Sequence, residues 1–124
     1  LSGHYYFREN FFAESSALAV IYVANLVSAS AQPLSALIAP LRRYAPSGEI
    51  NSTVKEVDQV FAKLRAAYAD ATFTELDGLS VEYPDWWFNV RASNTEPLVR
   101  LNLEAATLAD MTAKRDEVLK IIRA

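Results

Sequence analysis

The chain of 124 residues is 52% hydrophobic, with enough length and apolar material to bury one core of its own. Its 12 basic against 15 acidic side chains leave a net charge of -3 at pH 7, so no positive field exists to draw in nucleic acid or an anionic membrane. With no cysteine and a single histidine, disulfides, thiolate chemistry and most zinc arrangements are excluded, a composition that suits a cytoplasmic protein.

Tyr5, Tyr6 and Phe7 form a short β-prone run stopped by Arg8, Glu9 and Asn10, so a loop feeding a strand is expected first. Glu14, Ser15 and Ser16 offer capping groups for a helix over residues 17–27 that is apolar nearly all round. Such a helix has to be buried on more than one side. It is about half the length that a bilayer crossing needs, contains Asn25 and follows no basic flank of the signal-peptide kind, so the chain is read as soluble. Pro33 suits the first turn of a second helix over residues 34–44, which Pro40 should kink or end.

Ala45, Pro46, Ser47 and Gly48 are the clearest punctuation, and the pattern changes there from apolar helix to a shorter, more charged α+β alternation. A domain boundary is placed near Pro46. Residues 1–45 are then the strand-and-helix remnant of a preceding domain, because so short a stretch cannot cover its own apolar helix, and residues 46–124 are a domain in their own right. In that second part, residues 49–54 suit a strand, and Val57, Val60, Phe61, Leu64 and Tyr68 repeat as an apolar stripe along a charged helix. Two β-prone runs, 72–76 and 79–83, flank Asp77 and Gly78, a hairpin signal. Residues 86–91 and 98–104 are further strands, and Thr107 with Asp110 resembles a capping box for a last helix, whose buried stripe is expected to be Leu108, Met111, Val118 and Ile122. The fold class is therefore α+β, a largely antiparallel four-stranded sheet with two helices on one face.

Between the last two strands lies the run Arg91, Ala92, Ser93, Asn94, Thr95, Glu96, Pro97. Alternation puts Phe88 and Val90 on one face and Trp87, Asn89 and Arg91 on the other. Arg91 thus leaves the sheet beside a hydroxyl, an amide and a second hydroxyl, in a turn whose backbone N–H groups can gather as an anion nest. Arg100, on the next strand with Leu98 and Asn102, can add a second guanidinium, the group that matches phosphate oxygens two at a time. Chemistry alone leaves two readings open, a dianion receptor or a polar turn whose Ser, Asn and Thr satisfy local backbone groups. Trp86 and Trp87 point opposite ways, so at least one belongs to the core, and Arg42 and Arg43 suit solvated surface.

The run from Arg91 to Pro97, followed by Leu98, Val99, Arg100 and Leu101, resembles the phosphate-binding loop of the α-D-phosphohexomutase family, the phosphomannomutases and phosphoglucomutases. Ser2, Gly3 and His4 before an aromatic strand resemble the end of that family's sugar-binding loop, and the two motifs stand in family order. The resemblance implies a carboxy-terminal fragment whose last domain has a TATA-box-binding-protein-like fold. It implies that Arg91, Ser93, Asn94, Thr95 and Arg100 bind the phosphate that is not transferred, that Ser2 contacts sugar hydroxyls and that His4 lies near the reacting centre as a general acid/base or phosphate contact. Glu96 is expected to close the turn. The family activity it implies is an isomerase reaction, the reversible transfer of a phosphoryl group between O1 and O6 of a hexose through an enzyme phosphoserine and Mg²⁺. Asp58, Asp70, Asp77, Asp85, Asp110 and Asp116 are dispersed, with no Asp-x-Asp-x-Asp run and no nucleophilic serine motif. The metal and the serine are therefore expected outside this chain, which should bind without turnover. Asn94 and Leu1 lean the substrate towards mannose or glucose phosphates, and the expected partners are that hexose phosphate and the remaining domains of the same enzyme. The competing reading is a non-enzymatic α+β module that grips nucleic acid or protein, against which the acidic balance speaks.

Overall fold

The computed structural model describes residues 3–124, which divide into two compact units, the first ending at Arg42 and the second running from Arg43 to Ala124. The division falls just ahead of the Pro46 punctuation.

In the first unit, the expected strand at residues 5–7 is reduced to a single bridge between Tyr6 and Glu14, supported by the Ser15 N–H donating to the Tyr5 carbonyl at 3.2 Å. Among the described residues no further strand extends that pairing. Helix α1 (Ser16–Ser30) is capped as expected, with the Leu18 N–H donating to Ser15 Oγ at 3.3 Å. None of its residues is buried, and Val20, Ile21, Tyr22, Val23 and Leu26 all stand exposed. Tyr22 stacks on Phe7 with ring centres 5.3 Å apart. Helix α2 (Leu34–Ile38) starts after Pro33 and tightens into a 3₁₀ turn, Ala39–Leu41, at Pro40. A proline has no N–H to continue the α pattern, so the helix stops short of the expected residue 44. Among the described residues, no single helix is long and apolar enough to cross a membrane.

The second unit is α+β. Strands β1 (Ala45–Pro46), β2 (Ile50–Thr53), β3 (Thr72–Thr74), β4 (Leu79–Glu82), β5 (Trp86–Ala92) and β6 (Leu98–Ala105) join helices α3 (Val57–Ala67) and α4 (Leu108–Ile122). All pairings are antiparallel, in the order β1-β6-β5-β4-β3, with β2 on the same side of β6 as β1. The sheet holds six strands where four are expected, because the runs at residues 72–76, 79–83, 86–91 and 98–104 all join it and the edge beside β6 is split by a bulge into β1 and β2. The Ser47 N–H donates to the Leu103 carbonyl at 2.8 Å and the Leu103 N–H donates to Ser47 Oγ at 3.0 Å. Residues 45–47 therefore belong to the sheet edge.

Alternation sorts the strands as the sequence predicts. Leu79, Val81, Phe88, Val90, Val99, Leu101, Leu103 and Ala105 point into the core, where α3 contributes Val60 and Leu64 and α4 contributes Met111, Val118 and Ile122. Each of these larger side chains removes on the order of 1.5 to 3 kcal/mol worth of apolar surface from water, and together they fix both helices on one face. The other face stays open and polar. Leu108, expected in the α4 stripe, is 69% exposed. It stands in the first turn, and the stripe begins one turn later at Met111. Thr107 caps α4 as expected, its Oγ1 accepting from the Asp110 N–H at 3.1 Å and donating to Asp110 Oδ2 at 2.6 Å.

Candidate functional site

The open face carries Trp87, Asn89 and Arg91 from β5 and Leu98, Arg100, Asn102 and Glu104 from β6, all partly exposed. Arg91 and Arg100 are direct cross-strand partners. Like charges in that position repel. The repulsion is relieved by Glu49, which leads into β2 on the other side of β6. Its Oε2 lies 3.4 Å from Arg91 Nη2 and its Oε1 lies 3.2 Å from Arg100 Nη1. Asp77 adds an oxygen 3.6 Å from Arg91 Nη1. These pairs are wet, so each contributes only about 0 to 1 kcal/mol to stability, and their effect is to hold the guanidiniums side by side.

The hairpin turn sets the place of Arg91. Gly78 has φ +75°, and a Cβ there would stand 2.4 Å from the Val90 carbonyl oxygen and 2.7 Å from Arg91 Cα. Only glycine lets the turn pack onto β5 at that point, and the same turn brings Asp77 to Arg91. Asn89 ties the turn down from the strand side, its Nδ2 donating to the Asp77 carbonyl at 2.8 Å and to Ser80 Oγ at 3.0 Å.

The loop from Ser93 to Pro97 closes between β5 and β6. The Ser93 N–H donates to the Leu98 carbonyl at 2.9 Å and the Leu98 N–H to the Glu96 carbonyl at 2.8 Å. Ser93 Oγ lies 3.4 Å from Thr95 Oγ1 and accepts from the Thr95 N–H at 3.4 Å, a hydroxyl-closed turn. Asn94 and Thr95 are exposed. Two guanidiniums, two hydroxyls, an amide and turning backbone thus share one rim of the sheet, an arrangement suited to an anion with several oxygens.

Of the residues singled out in the sequence, Arg91, Ser93, Asn94, Thr95 and Arg100 gather here. His4 is exposed in the first unit, and Ser2 lies outside the described residues. Glu49 was missed: alternation in its strand puts it on the polar face, but its contact with arginines 42 and 51 residues away depends on strand pairing. Trp86 turns inward as expected for one of the pair, stacking on Tyr83 at 5.0 Å and Phe88 at 5.7 Å under the Lys114 ammonium at 4.9 Å. In the same aromatic cluster, burial and the carboxylate of Glu117, 3.1 Å from its hydroxyl, push the Tyr68 phenol well up. Burial and the Asp70 carboxylate push Tyr83 up to about 12. As for the Mg²⁺ that the resemblance implies, no group of three or more histidine, aspartate or glutamate side chains among the described residues could hold a metal ion. These residues do not fit one.

Comparison with known proteins agrees with the fold. Residues 49–121 match the family described as phosphoglucomutase/phosphomannomutase, C-terminal domain. A phosphomannomutase of Methanocaldococcus jannaschii is 40% identical over 122 residues, covering 98% of this chain and 27% of that protein. One from Escherichia coli is 40% identical over 127 residues, covering 99% of this chain and 28% of that protein. The crystal structure of a phosphoglucomutase/phosphomannomutase family protein from Burkholderia thailandensis superposes with a TM-score of 0.73 at 30% identity, covering 97% of this chain and 26% of that one. The chain therefore spans little more than a quarter of the length of these relatives, and it belongs to the phosphoglucomutase/phosphomannomutase family, with residues 49–121 matching the family's C-terminal domain.

Proposed function

We propose that the second unit is the wall of a phosphohexomutase active site that grips the phosphate not being transferred. The parent enzyme interconverts hexose 1-phosphate and hexose 6-phosphate, with mannose or glucose phosphates as substrates. The observation that carries this reading is the pair of cross-strand arginines, Arg91 and Arg100, set beside the hydroxyl-rich turn at Ser93 and Thr95. A phosphate dianion offers three oxygens, and a guanidinium takes two of them with parallel N–H bonds that keep their charge at every physiological pH. Ser93, Asn94 and Thr95 then fix the remaining oxygen and the approach of the sugar. Holding the distant phosphate positions the reacting oxygens without touching them, which is where binding energy is best used in phosphoryl transfer.

On this reading the first unit is the remnant of the preceding, sugar-binding domain, with Ser2 on the sugar hydroxyls and His4 near the reacting centre. The phosphoserine and the Mg²⁺ belong to parts of the enzyme outside this chain, so the chain binds and does not turn over. Its setting is cytoplasmic, with neither nucleic acid nor membrane as a partner.

Titrating the isotopically labelled chain with glucose 6-phosphate or mannose 1-phosphate should shift the amide resonances of Arg91 to Thr95. Arg91→Ala should weaken binding by about 1.5 to 3 kcal/mol, the scale of a hydrogen bond to a charged group. A folded chain whose loop resonances do not move at millimolar ligand would refute the assignment.

A further inference from the structure

Glu49 occupies a telling position. Each of its carboxylate oxygens takes one guanidinium, Oε1 that of Arg100 at 3.2 Å and Oε2 that of Arg91 at 3.4 Å. A phosphate held by both arginines would present two oxygens in the same manner. A carboxylate and a phosphate thus compete for one set of N–H donors. The Glu49 side chain is 37% exposed and its partners 39% and 33%, so water can reach the cluster and the carboxylate can be rehydrated when it leaves. Its backbone is anchored next door, where Ser47 is bonded both ways to Leu103, so the side chain can swing out while staying tethered within reach. Among the described residues Asp77 is the other acidic group paired with these arginines, but it touches Arg91 alone, and its side chain is 78% exposed.

We propose that Glu49 is a resident carboxylate, a built-in competitor that keeps Arg91 and Arg100 paired between binding events and is displaced when a phosphate arrives. This rests on the reading of the two arginines as phosphate ligands. Displacement lowers the net affinity of the site, since part of the attraction for phosphate goes into releasing Glu49. It also gives the site a way to let go, because the carboxylate re-forms its bonds as the phosphate departs.

The test is a titration with inorganic phosphate at low ionic strength, followed by amide and carboxyl-carbon NMR, of the unaltered chain, Glu49→Gln, Asp77→Asn and Arg91→Ala. Glutamine keeps the shape and one acceptor oxygen but removes the charge. Glu49→Gln should bind phosphate about fivefold more tightly, the scale of one unit charge at near-contact distance in water. Asp77→Asn should show a smaller gain, and added salt should shrink both. In the unaltered chain the Glu49 carboxyl resonance should move towards its free-solution position as phosphate binds, a readout that needs no variant to fold. If Glu49→Gln binds equally or more weakly while Arg91→Ala loses binding, or if phosphate binds without moving the Glu49 resonance, the competitor role is overturned and the phosphate site stands. If neither the unaltered chain nor Glu49→Gln binds phosphate, both readings fall.

Discussion

Helix α1 is apolar at nearly every position and buries none of its residues, whereas α4 carries Asp110, Lys114, Arg115, Asp116 and Glu117 and still buries Met111, Val118 and Ile122. Apolar content alone does not produce burial. α4 presents a narrow stripe that meets the alternating inner face of the sheet, a surface complementary in period and in shape. α1 has no comparable surface within its own unit, and a monomer rarely leaves so continuous an apolar surface uncovered. The backbone repeats the contrast. Where the second unit turns left-handed it uses Gly48 and Gly78, whereas the first unit places Phe11, Phe12 and Ala31 at positive φ. For residues with a Cβ that conformation costs on the order of 1 to 2 kcal/mol each, which a unit lacking a buried core has little means to offset.

The largest expected effect tests this contrast directly. Phe88 is fully buried and Phe11 is 95% exposed. Phe88→Ala should cost about 3 to 5 kcal/mol in urea unfolding, and Phe11→Ala should stay within about 0.5 kcal/mol. Comparable losses from the two would break the distinction between the units.

Gly78→Ala comes next. Besides strain at φ +75°, the new Cβ would stand 2.4 Å from the Val90 carbonyl oxygen and 2.8 Å from Arg91 Cβ, so either the turn or β5 has to move. A loss of about 1 to 3 kcal/mol in stability is expected, together with weaker phosphate binding, because Arg91 moves with its strand. Ala31→Gly should do the reverse and raise the helicity of α1, by at most about 1 kcal/mol. Circular dichroism and phosphate titration read both.

The two helix caps give a third, smaller contrast. Thr107 and Ser15 each accept an N–H bond, from Asp110 at 3.1 Å and Leu18 at 3.3 Å. Thr107→Ala should lower the unfolding free energy of the second unit by about 1 kcal/mol. Ser15→Ala should show itself only in faster hydrogen exchange along α1, leaving that transition in place.

What the sequence revealed follows the same divide between local and long-range causes. The Val57 to Tyr68 stripe, the Thr107 cap, the Asp77-Gly78 turn and the facing of Phe88 and Arg91 are set by neighbours within a few residues, and each is legible from spacing. The gathering of Arg91 with Ser93 and Thr95 is legible for the same reason, since one loop carries them. Glu49 is not, because it reaches Arg91 and Arg100 only through pairing of β2 with β6, which no local pattern encodes. Ser47 misleads in the same way. In sequence it reads as linker, but in the fold its hydroxyl replaces a missing ladder bond to Leu103. Leu108 has the right residue type and the wrong angle, for a stripe read from the first turn of a helix is unconstrained until the helix meets the sheet.

The smallest effect concerns the second unit's aromatic cluster. Tyr83 donates its hydroxyl to Asp70 Oδ1 at 2.7 Å, and burial together with that carboxylate lifts its pKa from the ordinary 10.0 to about 12. The folded chain thus holds the phenolic proton more tightly than the unfolded chain does. Its contribution to stability is complete below pH 10 and is lost as the pH rises from 10 through about 12. Tyr83→Phe should remove one hydrogen bond near the surface, about 0.5 to 1 kcal/mol at neutral pH, and should flatten the alkaline fall in stability. It should not abolish that fall, because Tyr68, buried beside Glu117, is shifted in the same direction. Thermal unfolding between pH 8 and 12, with the phenolate absorbance followed alongside, measures the size of the Tyr83 step. An alkaline limb that is the same with and without the Tyr83 hydroxyl would mean that the Asp70 bond forms too loosely to matter. The aromatic cluster would then stabilise the second unit through stacking and burial alone, as the Phe7 and Tyr22 pair does on a smaller scale in the first.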